Sequence, residues 1–550
     1  MRNESFQTSA VAGARASSSS LKRAGNSSAP ISHRLTPIAN LLGRHGTHHM
    51  LLGMLVILPT GSLAISDLTG TITLDLSHAV MIPADSAWFT PGMIVLVDGV
   101  YEEEEEHVGK GLSGSSGVGG TIGGKFQGFF IGQPPCEKRK ATLGVSGLDG
   151  QSGSSTDKGS DHTIGGGFGW IDFLGVGSER AVGSKMRKLE NRILRQPALA
   201  DNLDPAGPAG RARVIILGEL NLDKPRSLQA LRKILSLYAS DPDGARPAAF
   251  VLAGNFASTA VMARGATGGS IEYKEYFDAL ASTLAEFPSL LTSSTFCFVP
   301  GDNDGWVSSF EGGAAVPLPR KGVPSLFTSR VRRAFASANS EAGLGTNSEK
   351  GGPVGGEAVF TSNPARISLF GPTHEFVLFR DDISARLRRA SVRLKNTSQN
   401  TTNEGEEDVA MSGSTPAPEL QTQDPDDDDV MEVDTSPVKK QPAPPGEQEI
   451  PTDVLTARKL VKTILDQGHL APFRQAVRPV HWDYHSVMHL YPLPTVLVLV
   501  DTTAPSFCVT YEGCHVMNPG SILVPGKRGA ARWIEYDVLG RIGRVREGTF

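Results

Sequence analysis

Cysteine is scarce: Cys136, Cys297, Cys508 and Cys514 are the four in 550 residues. They are too few and too scattered for a disulfide framework, and none has zinc-ligand spacing. That usage is compatible with a reducing intracellular compartment. No apolar run approaches the roughly twenty residues of a membrane-spanning helix. The candidate run Met50–Leu58 contains Gly53 and stops at Pro59, so it reads as a buried β-strand. No basic leader with a small-residue cleavage site precedes it closely enough to argue secretion. Charge imbalance is also small: 53 Lys+Arg against 58 Asp+Glu leaves −5, with no general reason to expect nucleic-acid binding.

Glycine (62) and proline (36) are abundant instead, and much of the excess lies in insertions. With 39% hydrophobic residues, enough apolar surface remains for two or three domains. Residues 1–35 are rich in Ser, Ala and Gly without periodicity and are expected to be disordered. Residues 109–120 and 141–169 are Gly/Ser-rich, and a linker is expected at 136–167. Gly165-Gly-Gly-Phe-Gly169 lacks the strand–turn–helix setting of a dinucleotide fingerprint. Residues 338–356 read as a further Gly/Ser/Glu insertion. Residues 396–450, with Asp426–Asp429, read as a disordered acidic insertion. Thr435-Ser436 ahead of Pro437-Val-Lys-Lys440 offers a short modification or import motif of a kind that also arises by chance.

Ordered structure is legible between these insertions. Thr71–Leu76 alternates, Met93–Val100 is continuous and Gly123–Ile131 is punctuated by glycine, which is a set of short strands suited to a small barrel. The charge cluster there, Glu102–Glu106, has the wrong sign for phosphate. Four buried-type strands follow, each delivering polar residues at its C-terminal end: Glu219 and Asn221 after Arg213–Leu217, and Asn255 after Phe250–Ala253. Asp302, Asn303 and Asp304 follow Phe296–Val299, and Asp501 and Thr503 follow Val496–Val500. Stripes at helical spacing, Leu228/Leu231/Ile234/Leu235/Tyr238 and Tyr273/Phe277/Leu280/Leu284/Phe287, separate the first three. This is the pattern of an α/β sheet with a site along one edge. Arg366–Arg380 reads as two strands around Gly371-Pro372, and Val454–Leu465 as a helix that closes at Gly468. Lys527–Arg546 reads as basic edge strands and loops.

A two-metal centre holds cations about 3.5–4 Å apart and needs anionic and imidazole ligands to offset their repulsion. Asn255 carries no charge, and no histidine stands at any of the four strand ends. The carboxylates of Glu219, Asp302, Asp304 and Asp501 would suit at most a weakly held Mg²⁺ or Mn²⁺; capping of turns is the simpler role. His481, His485 and His489 would share a helix face and could hold zinc, but Pro479 and Pro492 leave little more than two turns.

The strand ends resemble those of the calcineurin-like metallophosphoesterases, which read Asp-x-His, Gly-Asp, Gly-Asn-His-Asp/Glu and Gly-His-x-His. Here they read Glu219-Leu220-Asn221, Gly254-Asn255, Gly301-Asp302-Asn303-Asp304 and Asp501-Thr502-Thr503, while Asn518-Pro519-Gly520-Ser521 matches. Further runs narrow the resemblance: Thr36–Gly43, Asp67–Ser77, Phe298–Gly301, Thr361–Arg366, Val461–Leu470 and Val487–Pro494. Together they resemble the B subunits of DNA polymerase epsilon over most of 35–550. That resemblance implies an α/β (α+β) chain. An OB-fold at 36–135 would pack on an inactive calcineurin-like phosphoesterase domain at 168–550, with a β-sandwich core and a start near a helix at Ser184–Leu194. It implies a non-catalytic subunit, without metal or cofactor, that holds the polymerase catalytic subunit through its C-terminal domain. Other replisome subunits would join it in the nucleus, with DNA reached through the complex and no membrane contact. Members usually begin with a small helical domain, and nothing before Thr36 resembles one. Two alternatives are a divergent metallophosphoesterase and a single-strand DNA-binding OB module.

Overall fold

The structure, a computed structural model, describes residues 6–8, 33–79, 87–103, 116–117, 121–142, 212–242, 245–261, 269–305, 316–344, 355–369, 374–394 and 451–550. The expected helix at Ser184–Leu194 and the acidic insertion at 396–450 lie outside the described residues.

Period-two alternation builds the first unit. Two short strands, β1 (Phe6–Thr8) and β2 (His33–Leu35), pair in parallel and lead into β3 (His48–Ile57), β4 (Leu63–Ser66), β5 (Thr71–Asp75) and β6 (Ile94–Glu102). Dipeptide strand β7 (Ser116–Gly117) flanks β8 (Thr121–Gly132). β3 pairs with β4, β4 with β5, β5 with β8, β8 with β6 and β6 again with β3, so five strands close into a barrel. Leu51, Ile65, Ile72, Leu74, Val95, Val97 and Phe126 fill it. Two expectations are corrected here. The 1–35 stretch contributes β1 and β2, whose backbones extend the β3 edge. The linker expected from 136 starts later, because Cys136 N–H donates to Asp466 and Arg139 pairs with Glu375 at 2.6 Å.

The second unit has two sheets. In chain order its elements are β9 (Arg213–Leu217), α1 (Pro225–Ala239), β10 (Ala249–Ala253), α2 (Gly269–Ala285), α3 (Pro288–Ser293), β11 (Thr295–Val299), α4 (Ser325–Glu341) and β12 (Ala358–Phe360). Then come β13 (Ala365–Leu369), β14 (His374–Arg380), α5 (Ile383–Ala390), α6 (Thr452–Gln467), β15 (Val496–Val500), β16 (Phe507–Tyr511), β17 (Cys514–Asn518), β18 (Ala530–Asp537) and β19 (Ile542–Thr549). Strand order is β12-β11-β10-β9-β18-β19 in one sheet and β13-β14-β15-β17-β16 in the other. The four site-bearing strands therefore do not share one sheet: β9, β10 and β11 are parallel neighbours, and β15 lies in the second sheet. All four are continuous apolar runs because both faces of each are buried.

Alternation assigns those faces. Val214, Ile216, Val251, Ala253 and Val299 face Phe376, Leu378, Val496, Val498 and Val500 between the sheets. Ile215, Leu217, Phe250, Leu252, Phe296 and Phe298 face outward into α1–α4. Stacked pairs Phe250–Phe296 and Phe298–Phe360, each with ring centroids 4.6 Å apart, tie neighbouring strands there. α4 occupies part of the expected 338–356 insertion. Its stripe Phe327, Val331, Phe335, Ala338 is helical and buried, so the insertion begins beyond Glu341. The terminal hairpin is also only half an edge, since β18 pairs with β9 and β19 alone is outermost.

On its other face the second sheet packs Val377, Phe379, Leu497 and Leu499 under α6, and α6 meets the barrel. Leu460, Val461, Ile464 and Leu465 of α6 share one continuous core with Trp88, Phe89 and Met93 of the β5–β6 connection. Thr463 accepts from Trp88 N at 3.0 Å, and Gln467 exchanges two hydrogen bonds with Ile94. Gly468 ends α6 with φ +62°, a conformation open to glycine at little cost. The layers therefore run helices, sheet, sheet, then helix with barrel.

Candidate functional site

Because parallel strands end together, their following turns converge. β9 leaves its sheet at Gly218, where a Cβ would meet the Gly520 carbonyl oxygen at 1.7 Å, so only glycine lets the two turns approach. That approach sets Glu219 beside Asn255: the Asn255 amide donates to Glu219 Oε1 at 3.2 Å. Asn221 Nδ2 donates to the Asn255 carbonyl at 2.9 Å, and Asn303 N–H donates to Asn255 Oδ1 at 3.0 Å. Asn303 Nδ2 in turn donates to the Ala257 and Ser258 carbonyls.

Asp304 is buried and saturated. Its carboxylate accepts from Gly301 N at 2.6 Å, Phe256 N at 2.9 Å and Tyr273 OH at 3.0 Å. Burial pushes its pKa up to about 6, against the pull of these donors and of Arg320. Asp501 faces elsewhere. It accepts from Ser384 N at 2.7 Å, in the first turn of α5, and from the Thr503 backbone and hydroxyl at 2.8 and 2.7 Å. Thr503 Oγ1 also meets Ser384 Oγ at 2.7 Å. The last strand end is thus a helix cap rather than a wall of the site.

Arginines occupy the middle. Arg380, at the end of β14, donates to the Gly254 carbonyl at 3.0 Å, Asp382 at 3.0 Å and Glu219 at 3.3 Å. Arg478, with a fully buried side chain, donates to Asp302 Oδ1 at 2.6 Å and lies 3.4 Å from Asp381. Arg386 from α5 lies 3.1 Å from Asp381 and 3.6 Å from Asp302. Burial raises the Asp381 pKa even with Arg478 and Arg386 at hand. Burial alone would raise Asp382 too, but Arg380 and Thr502 hold it below the usual carboxylate range. Thr502 N–H and hydroxyl both donate to Asp382, which links the β14 and β15 ends.

The structure therefore gathers Glu219, Asn221, Asn255, Asp302, Asn303 and Asp304, and it separates Asp501 and Thr503 from them. Each of Glu219, Asp302, Asp304 and Asp501 already receives a guanidinium, a backbone N–H or a hydroxyl. Arg380, Arg386 and Arg478 occupy carboxylate lone pairs of Glu219 and Asp302 that a bound cation would need. Sequence reading missed all three. Arg380-Asp381-Asp382 carried the same signal as the other strand ends, a charged run closing an apolar strand, whereas Arg386 and Arg478 had no local signal.

The histidine expectation is also corrected. Trp482–Met488 is a 3-10 helix, so three residues rather than 3.6 make a turn, and His481 is separately exposed with its N–H on Leu318 O. Among the described residues, the three-residue metal-ligating group that converges is His469, His485 and His489. Burial, with His485 and His489 beside it, lowers the His469 pKa to about 4. No helix among the described residues is long and apolar enough to cross a membrane.

Comparison with known proteins bears on the whole chain. Residues 214–509 match the family described as the B subunit of DNA polymerase alpha/epsilon, and residues 1–135 match the OB-fold domain described as DNA polymerase epsilon subunit 2-like. The DNA polymerase epsilon B subunit of Saccharomyces cerevisiae is 31% identical over 98% of this chain and 65% of its own length. The Schizosaccharomyces pombe protein of that name is 30% identical over 95% and 64%, and mouse DNA polymerase epsilon subunit 2 is 27% identical over 86% and 61%. The chain thus spans a little under two thirds of the length of these relatives. A solved archaeal phosphodiesterase is 9% identical over 61% of this chain and 99% of its own, at a TM-score of 0.25, too low to bear on the fold. With a closed five-stranded barrel where the OB-fold domain matches and a two-sheet unit across the longer match, the chain belongs to the family of DNA polymerase alpha/epsilon B subunits.

Proposed function

We propose that the chain is a non-catalytic accessory subunit of DNA polymerase epsilon, acting in nuclear DNA replication. It holds the catalytic subunit's C-terminal domain, alongside other replisome subunits, and reaches DNA through the complex. The observation that carries this reading is the arginine-filled strand-end site. Arg380 pairs with Glu219 and Arg386 and Arg478 pair with Asp302, while backbone N–H groups and hydroxyls hold Asp304 and Asp501, so the strand ends read as a buried ionic joint rather than an open metal site. The degenerate positions Glu219, Asn221, Asn255, Asp302, Asn303, Asp304, Asp501 and Thr503 are structural in this reading. The barrel favours a protein partner over single strands, because its Lys125 is engaged by Glu102 and Asp75.

Exposed apolar side chains supply anchors. Trp482 is 82% exposed and Tyr484 57%, on one short segment with Val487 and Tyr491. Buried aromatic anchors dominate many partner interfaces. The test is co-expression with the catalytic subunit's C-terminal domain followed by size-exclusion chromatography. Co-elution is expected, weakened when residues 1–135 are removed. A chain that behaves well alone and never co-elutes would overturn the scaffold reading.

A further inference from the structure

His469 follows Gly468 at the end of α6, and His485 and His489 come from the 3-10 segment. An isolated antiparallel bridge sets His489 opposite His469, and Leu470 N–H to Met488 O (2.9 Å) and Leu490 N–H to Gly468 O (2.8 Å) hold that register. The three rings form a near-equilateral triangle with centroid separations of 4.8, 5.2 and 4.7 Å. One nitrogen from each ring lies within 4.8 Å of the other two. A zinc–nitrogen bond of about 2.0–2.1 Å puts each ring centroid ~3.2 Å from the ion, and tetrahedral angles then space the centroids by ~5.2 Å. The triangle already has close to that size.

We propose that His469, His485 and His489 form a binding site for a borderline divalent transition metal. Zinc is the best fit, with three imidazole nitrogens and a fourth position open to water. Imidazole donors suit zinc and its neighbours and not Mg²⁺ or Ca²⁺. Without metal the rings are hydrogen-bonded in a chain. Ala471 N–H donates to His469 Nδ1 at 3.0 Å, which leaves the His469 proton on Nε2, 3.2 Å from His485 Nε2. His485 Nδ1 then meets His489 Nε2 at 3.1 Å. Metal uptake displaces the protons between the rings and gives up the Ala471 bond. The nearby cation does not prevent it, since Arg366, which donates to the His489 carbonyl, is itself paired with Glu375 at 2.6 Å. Bound metal would clip the segment bearing Trp482 and Tyr484 to the end of α6.

The experiment titrates the full-length chain, stripped with chelator, with Co²⁺ and Zn²⁺. One equivalent should bind, with the intense visible bands of tetrahedral cobalt and a zinc-dependent rise in melting temperature. His485→Ala and His489→Ala, both at exposed side chains, should each weaken binding at least tenfold while the circular dichroism spectrum is kept. His481→Ala should leave binding unchanged. No stoichiometric binding by the full chain, or binding undiminished in His485→Ala/His489→Ala, would overturn the proposal, as would equal loss in His481→Ala.

Discussion

Replacing Arg478 by methionine removes the most buried cation of the strand-end site while keeping much of its volume. Its side chain is fully buried, 2.6 Å from Asp302 and 3.4 Å from Asp381, which is itself 1% exposed. Stripping one partner from a buried pair costs about 3–5 kcal/mol, because the remaining charge stays desolvated. Arg386 still lies within reach of both carboxylates, which favours the lower end, about 3 kcal/mol. At roughly 2–4 °C per kcal/mol for a unit of this size, the melting temperature should fall about 6–12 °C. The loss should also depend on pH. Burial already raises the Asp381 pKa in the folded state, and removing Arg478 raises it further. A carboxylate with a raised folded pKa stabilises below its unfolded pKa and loses that contribution as pH rises through the folded value. The gap between wild type and Arg478→Met should therefore widen as pH rises above about 6, the wild-type Asp381 value. Scanning calorimetry on both sides of that value, with Arg478→Met/Asp302→Asn to test for partial recovery, is the assay. A loss under about 1 kcal/mol with no pH dependence would refute the view that these arginines neutralise the site.

Asp304→Asn should lose about 1–3 kcal/mol, because one amide cannot accept from Gly301 N, Phe256 N and Tyr273 OH together. With the folded pKa raised to about 6 by burial, the wild-type advantage should shrink as pH rises from about 4 to about 6, which paired denaturant melts would detect. Gly218→Ala should be among the most damaging small changes, since its Cβ would meet a backbone oxygen at 1.7 Å; loss of soluble yield is the readout. Removing residues 1–135 uncovers Leu460, Val461, Ile464 and Leu465 on α6, and the truncated chain should bind an apolar dye and aggregate where the full chain does not.

Alternation and helical spacing made most elements legible, because β3, β5, β9 and α1 bury the faces their own sequences mark. Strand partnership was not legible. Val496–Val500 looks like Arg213–Leu217, yet β15 crosses to the second sheet, since an apolar run buried on both faces carries no record of its neighbour. α4 was missed because its Ser- and Ala-rich tail resembles an insertion, although Phe327, Val331 and Phe335 mark its buried face. At the site the strand-end carboxylates were visible and their partners were not. Arg478 lies 176 residues from Asp302, and a loop arginine before a proline has no pattern to betray it. The histidines failed on pitch: spacing of four selected His481, whereas the 3-10 turn and a bridge brought in His469.

Turnover is the most direct measurement. The purified chain should be assayed against phosphomonoester and phosphodiester substrates with Mg²⁺, Mn²⁺ and Zn²⁺ in turn. With Glu219 and Asp302 held by Arg380, Arg386 and Arg478, and Asp304 and Asp501 held by N–H and hydroxyl donors, hydrolysis should stay at the level of the metal-only control. Metal-dependent turnover that co-purifies with the chain and disappears in Asp302→Asn would contradict the account.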